Sequence, residues 1–166
     1  MTALFRFFNA VFNNSDDWQH ACRVKILVDK ISGDFGLPTK TRNDLSLAAQ
    51  YHDIGKIYQN SYYDHPDDSY FLFLRLLGNH AAAELIRHHH CYPVAYQRRY
   101  NELNKGFPHE TCRILNYLSP ELQLLQLCNE WDSLDSQGKS AYHEISYLAE
   151  LHRWDKPIVK KFLALL

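Results

Sequence analysis

The sequence predicts an all-α protein, a single-domain bundle of about seven to nine helices. Three observations predict it. Glycine and proline number only six each in 166 residues, so few positions force a turn. Apolar residues recur at helical spacing over long stretches. The length suffices for one domain with its own core, and no repeat, low-complexity tract or linker divides residues 1–166.

The helices follow in order. Leu4, Phe7, Phe8, Val11 and Phe12 fall on one helical face, so 2–13 reads as an amphipathic helix. Arg6 lies within it and no small-residue cleavage site follows, so it is not read as a signal peptide. Residues 13–17 offer several caps, and the next helix, about 17–35, turns Val24, Leu27, Val28, Ile31 and Phe35 inward. His20 lies four residues before Val24 and shares that face. Gly36-Leu37-Pro38 ends it. Thr41 or Asn43 caps a helix that runs to His52-Asp53, where Gly55 can terminate it in the left-handed conformation. A polar, aromatic loop over 58–64 follows. His65-Pro66 opens a helix through Leu77, which Gly78 breaks. A short helix from Asn79 runs into His88-His89-His90. The stretch 91–107 is irregular, and Pro108 starts a helix over 111–118. Ser119-Pro120-Glu121 is a strong start signal: a capping Ser, Pro at the first helical position, and an acid facing the helix dipole. That helix carries Leu125, Cys128 and Asp132 to Gln137-Gly138. Two further helices, about 140–154 and 156–166, close the chain.

Charge and cysteine usage narrow the function classes. The net charge is −1 with ten histidines counted neutral, so global charge makes no case for a nucleic-acid or membrane partner. No run approaches the roughly 18 apolar residues of a membrane span. Cys22, Cys91, Cys112 and Cys128 are widely spaced without a CxxC, in keeping with buried small residues of a reducing compartment. A cytoplasmic location is the expectation.

The chemistry lies in the histidines and acids. His52-Asp53 follows an apolar run, Leu45, Leu47, Ala48 and Ala49, where two buried polar side chains need a partner. A metal ion is one partner; a salt bridge to Lys56 or Arg42 is another. The pair acquires meaning from His20, His65, His89, His90 and Asp132, each on an inward helix face or at a helix end. Adjacent helical residues diverge by about 100°, so His88, His89 and His90 do not all face one site, and the spacing from His65 favours His89 and His90 and leaves His88 as a flank. Taken singly, His20 reads as a core histidine, His65-Pro66 as a helix start and Asp132 as a helical acid. Asp132, however, lies in line with Leu125 and Cys128, and a buried Asp is rarely unpaired. Imidazole nitrogen with carboxylate oxygen suits Fe, Mn, Zn, Ni or Co more than Ca or Mg alone. Five His and two Asp exceed one tetrahedral site, and two ions bridged by Asp53 would use them.

In this order the residues resemble the HD-domain superfamily of metal-dependent phosphohydrolases. The resemblance covers about 18–136. It rests on His20-x-x-Arg23-Val24, on Leu47 through Lys56, on His65-Pro66, on His89-His90, and on Asp132-Ser133-Leu134. It implies that His20, His52, Asp53 and Asp132 form the minimal metal site, and that His65, His89 and His90 are the extra ligands of two-metal members. Lys56 matches a lysine that faces substrate phosphate. The implied cofactors are two divalent ions, Fe or Mn first, with Ni, Co, Zn or Mg as others. The spacing is closest to the HD-GYP branch, which degrades cyclic di-GMP. That branch follows its His pair with an acid and a Gly-Tyr-Pro turn, whereas here Cys91-Tyr92-Pro93 follows directly and the gap to Asp132 is longer.

The function expected from this resemblance is phosphomonoester or phosphodiester hydrolysis of a nucleotide or other small phosphoester. Asp53 and Lys56 are the candidate catalytic residues, and Lys56, Arg98 and Arg99 the candidate substrate contacts. An Arg pair is also an ordinary solvated face. Two other readings use the same ligands: an HD-type diiron oxygenase, and a non-catalytic metal-binding regulatory module.

Overall fold

A computed structural model describes residues 15–58, 65–91 and 119–166. The described residues form seven α-helices and one 3₁₀ turn, with no strand among them. The all-α expectation holds. The expected helices at 2–13 and 111–118 lie outside the described residues. The chain divides into two compact units, Met1–His89 and His90–Leu166.

In the first unit, helix α1 (Asp16–Ile31) starts where Ser15 Oγ accepts the Trp18 N–H at 3.1 Å, satisfying one of the amide donors that a helix start leaves open. Its buried stripe is Ala21, Val24, Val28 and Ile31. The helix ends four residues short of the expected Phe35. Gly33 and Gly36 lie in the turns that replace its last expected turn, and Gly36 takes φ 68°; glycine is a poor helix former that adopts this conformation readily.

Helix α2 (Thr39–Tyr51) begins earlier than the expected caps Thr41 and Asn43. Pro38 stands at its cap position and makes no side-chain hydrogen bond, while the Pro38 carbonyl accepts the Arg42 N–H at 2.9 Å. Leu45, Ala48 and Ala49 are buried. The chain then passes through His52 into the 3₁₀ turn Ile54–Tyr58.

Helix α3 (His65–Leu77) buries His65, Ser69, Leu72 and Phe73, a stripe at i, i+4, i+7 and i+8. Full burial of a side chain such as Phe73 contributes about 1.5–3 kcal/mol, so this stripe anchors His65 to the core. Helix α4 (His80–Arg87) buries Ala82, Ala83 and Ile86, and His89, three residues on, is buried as well.

Asn79 ties two of these helices together. Its Oδ1 accepts the Ala82 N–H at 3.2 Å as the cap of α4, and its Nδ2 donates to Asp44 Oδ1 of α2 at 2.8 Å. Lys40 Nζ donates to the other Asp44 oxygen at 2.7 Å. Burial alone would raise the Asp44 carboxyl, but the hydrogen bonds from Asn79 and Lys40 and the Lys40 charge outweigh it and hold it below its ordinary value. A depressed carboxyl stabilises the fold fully above its unfolded pKa, about 3.9, and loses that contribution as pH falls through the folded value. Asp44→Asn is therefore expected to flatten the acid limb of stability below about pH 4. Asn79→Ala is expected to cost about 2 kcal/mol at neutral pH, the cap and the hydrogen bond to Asp44 Oδ1 together. Urea denaturation across pH checks both.

In the second unit, helix α5 (Pro120–Ser136) opens with Ser119 Oγ accepting the Leu122 N–H at 3.3 Å and Pro in its first turn, as expected. Leu122 through Asn129 are all buried, so this part of the helix is enclosed on every side. Its buried amides are used. Gln126 donates to the Cys91 carbonyl at 2.8 Å and accepts from Trp154 Nε1 at 2.9 Å. Gln123 Oε1 accepts the Asp155 N–H at 2.7 Å. Helix α6 (Ala141–His152) and helix α7 (Lys156–Leu165) complete the unit, with the Trp131 ring 5.9 Å from Phe162.

Candidate metal centre

Asp53 sits in the turn between α2 and the 3₁₀ turn, 2% exposed, and its two oxygens face different histidines. Oδ2 lies 3.4 Å from His52 Nε2 and 3.9 Å from His20 Nε2. Oδ1 lies 3.1 Å from His65 Nε2 and 3.7 Å from His89 Nε2. Within each pair the imidazoles converge: His20 and His52 Nε2 are 3.3 Å apart, as are His65 and His89 Nε2. The His52 and His89 rings also meet, with centroids 4.9 Å apart. One carboxylate thus belongs to two donor groups, one with His20 and His52, the other with His65 and His89.

Backbone carbonyls orient the buried rings. His52 Nδ1 lies 2.9 Å from the Ala49 carbonyl and His89 Nδ1 2.5 Å from that of Ile86. A carbonyl only accepts, so each Nδ1 carries the hydrogen, and Nε2 is the ring nitrogen turned toward Asp53. Burial holds His52 neutral, with its pKa pushed down to about 3. Burial would raise Asp53, yet the surrounding imidazoles, His52 first and then His65 and His89, hold it well below the usual carboxylate range. Even so, Asp53 Oδ1 is buried and accepts no hydrogen bond of good alignment, although His65 Nε2 is near. A buried carboxylate oxygen left over among imidazole nitrogens is a donor set that a divalent cation fits.

A family model for the HD domain matches residues 17–137. The chain belongs to the HD-domain superfamily of metal-dependent phosphohydrolases. No curated protein and no solved structure gives a significant match. HD domains bind divalent metals and are generally hydrolytic, which agrees with the His/Asp groups of this chain.

Within the first unit, the HD-domain structure brings together His20, His52, Asp53, His65 and His89 of the expected set. His90 and Asp132 belong to the second unit: His90 is its first residue and half-buried, and Asp132 is buried in α5. His88 turns to Glu84 of its own helix, with Nε2 3.3 Å from Oε2, in keeping with a flank. Arg98 and Arg99 lie outside the described residues. Among those residues, no helix is long and apolar enough to cross a membrane.

Two expectations for this region change. Gly55 is not left-handed; the positive-φ glycines among the described residues are Gly36, Gly78 and Gly138. It sits in the 3₁₀ turn, where its N–H donates to Ser69 Oγ at 2.8 Å and any Cβ would come within 2.6 Å of the His65 carbonyl and the Ser69 amide. The close approach of two backbones is what requires glycine here. Further, the salt bridge to Lys56 does form, alongside the histidine cluster: Lys56 Nζ lies 2.7 Å from Asp53 Oδ2. Burial would lower the Lys56 pKa, but Asp53 first and Asp17 second hold it above its ordinary value. Ser69, Asp17 and Asn79 support the centre without having been singled out for it. Their partners, Gly55, Lys56 and Asp44, stand 14, 39 and 35 residues away in the chain, and only the Asn79 cap carries a local signal.

Proposed function

We propose that the chain is a metal-dependent phosphoric ester hydrolase acting on a nucleotide or another small phosphoester at a two-metal site. The observation that carries this reading is Asp53, whose two oxygens each face a separate histidine pair. His20 and His52 would hold one ion, His65 and His89 the other, with Asp53 common to both. His90 and Asp132 complete the set by their place in the family motif. The family match, 17–137, reaches into both units, which supports reading the chain as one HD-type domain with its motif core within that range.

Two divalent ions so held supply a water ionised near neutral pH and positive charge at the phosphoryl oxygens. The mixed nitrogen and oxygen donors favour Fe or Mn, then Ni, Co, Zn or Mg. The chain's own residues do the rest. Ala49 and Ile86 fix the rings so that His52 and His89 present Nε2. Asp53 keeps its negative charge for the ions. Lys56 offers a point charge to a phosphate oxygen, and Arg98 or Arg99 would contact a further phosphate. The free thiols of Cys22, Cys91 and Cys128 suit a cytoplasmic setting.

Turnover across a panel of phosphomonoesters, phosphodiesters and nucleotides with added Mn²⁺ or Fe²⁺ tests the reading. Hydrolysis that disappears in Asp53→Ala supports it. A fully loaded protein that turns over nothing contradicts it, and oxygen uptake with a small polyol or phosphonate would replace it with the oxygenase reading.

A further inference from the structure

Lys56 stands between two carboxylates. Its Nζ lies 2.7 Å from Asp53 Oδ2 and 3.1 Å from Asp17 Oδ1. Side-chain exposure rises along the line, from 2% at Asp53 to 28% at Lys56 and 39% at Asp17. The three charges therefore run from the buried centre to the surface. An ammonium has three donors, and among the described residues these two carboxylates take two of them.

The backbone that carries Asp17 is fixed independently of this ion pair. Asp17 lies in the first turn of α1, which Ser15 caps through the Trp18 N–H. The Trp18 ring stands 6.2 Å from that of Tyr51, the residue before His52. The start of α1 is thereby keyed to the end of α2. Asp17 and His20 are also three residues apart and share a face of α1. A lysine stem is long and flexible, and Asp53 alone would leave its ammonium with a single anchor inside the centre.

We infer that Asp17 is a positioning residue: it holds the Lys56 ammonium at the exposed side of Asp53, where the remaining donor meets a phosphoryl oxygen. The inference rests on the proposed role of Lys56 in phosphate binding.

Inorganic phosphate, titrated calorimetrically into the full chain loaded with Mn²⁺, tests it with no need for turnover. Lys56→Gln is expected to weaken phosphate binding about tenfold or more, the loss of a charge-assisted hydrogen bond. Asp17→Asn gives a decisive sign. Removing a negative charge near an anion should by Coulomb's law tighten binding, whereas loss of positioning should weaken it, by about threefold to fivefold for a partly exposed pair. Asp17→Glu should restore much of the loss. In the Lys56→Gln background, Asp17→Asn should cause no further weakening, and metal content should be unchanged by Asp17→Asn. Tighter phosphate binding in Asp17→Asn overturns the inference, as does equal weakening with and without Lys56, or loss of an ion; each leaves the proposed function standing. Phosphate binding that ignores Lys56→Gln overturns the phosphate role of Lys56 and this inference with it.

Discussion

Asp53→Ala is expected to abolish metal-dependent hydrolysis, with a fall of about three orders of magnitude or more, equivalent to about 4 kcal/mol of lost charge stabilisation. The size follows from the position of the side chain. Asp53 is common to both donor groups, so its removal would reach both of the proposed ions, whereas His20→Ala or His65→Ala would remove a donor from one side only. Asp53→Asn is expected to behave like the alanine variant, because a neutral amide keeps the shape and loses the charge on which both groups centre. Elemental analysis beside turnover separates the cases: low metal content in both Asp53 variants, and an intermediate content in the single histidine variants. Retention of full metal content by Asp53→Ala would refute its bridging role.

Gly55→Ala is the second large effect. The added Cβ would meet the His65 carbonyl and the Ser69 amide at 2.6 Å, and both are backbone atoms that cannot swing aside. Relief requires the 3₁₀ turn and the start of α3 to separate, which is overpacking at a cost of about 1–3 kcal/mol. The same separation moves His65, the first residue of α3, away from Asp53 Oδ1, now 3.1 Å distant. Gly55→Ala is therefore expected to lower the denaturation midpoint and to lose the ion on the His65 side, while His20 and His52 keep theirs. Denaturant titration and metal analysis of the same preparation check it; a variant with unaltered stability and metal content would show that the two backbones do not need this approach.

Much of the fold is legible in the sequence because its boundaries are made locally. Ser119-Pro120-Glu121, His65-Pro66 and Asn79 each state a helix start in their own chemistry, and the structure begins α5, α3 and α4 at those places. The histidine set is legible for a related reason: His65 and Ser69 continue the apolar stripe of Leu72 and Phe73, so a titratable residue appears where only burial is expected. Other features depend on partners remote in sequence. The glycine after His52-Asp53-Ile54 reads as a helix end, yet its need for a bare backbone comes from Ser69. Lys56 reads as a phosphate ligand, and nothing within a turn of it points to Asp17. Asn79 reads as a cap, but its second bond reaches back to Asp44. Thr41 and Asn43 do not cap α2 because Pro38, directly before Thr39, already stands at its cap position, with its carbonyl accepting from Arg42.

The central claim is that the two oxygens of Asp53 serve two ions. Elemental analysis of protein purified without a chelating tag and supplied with Fe²⁺ or Mn²⁺ under anaerobic conditions tests it most directly. The predicted result is two divalent ions per chain. One ion or none in folded, fully supplied protein would contradict it.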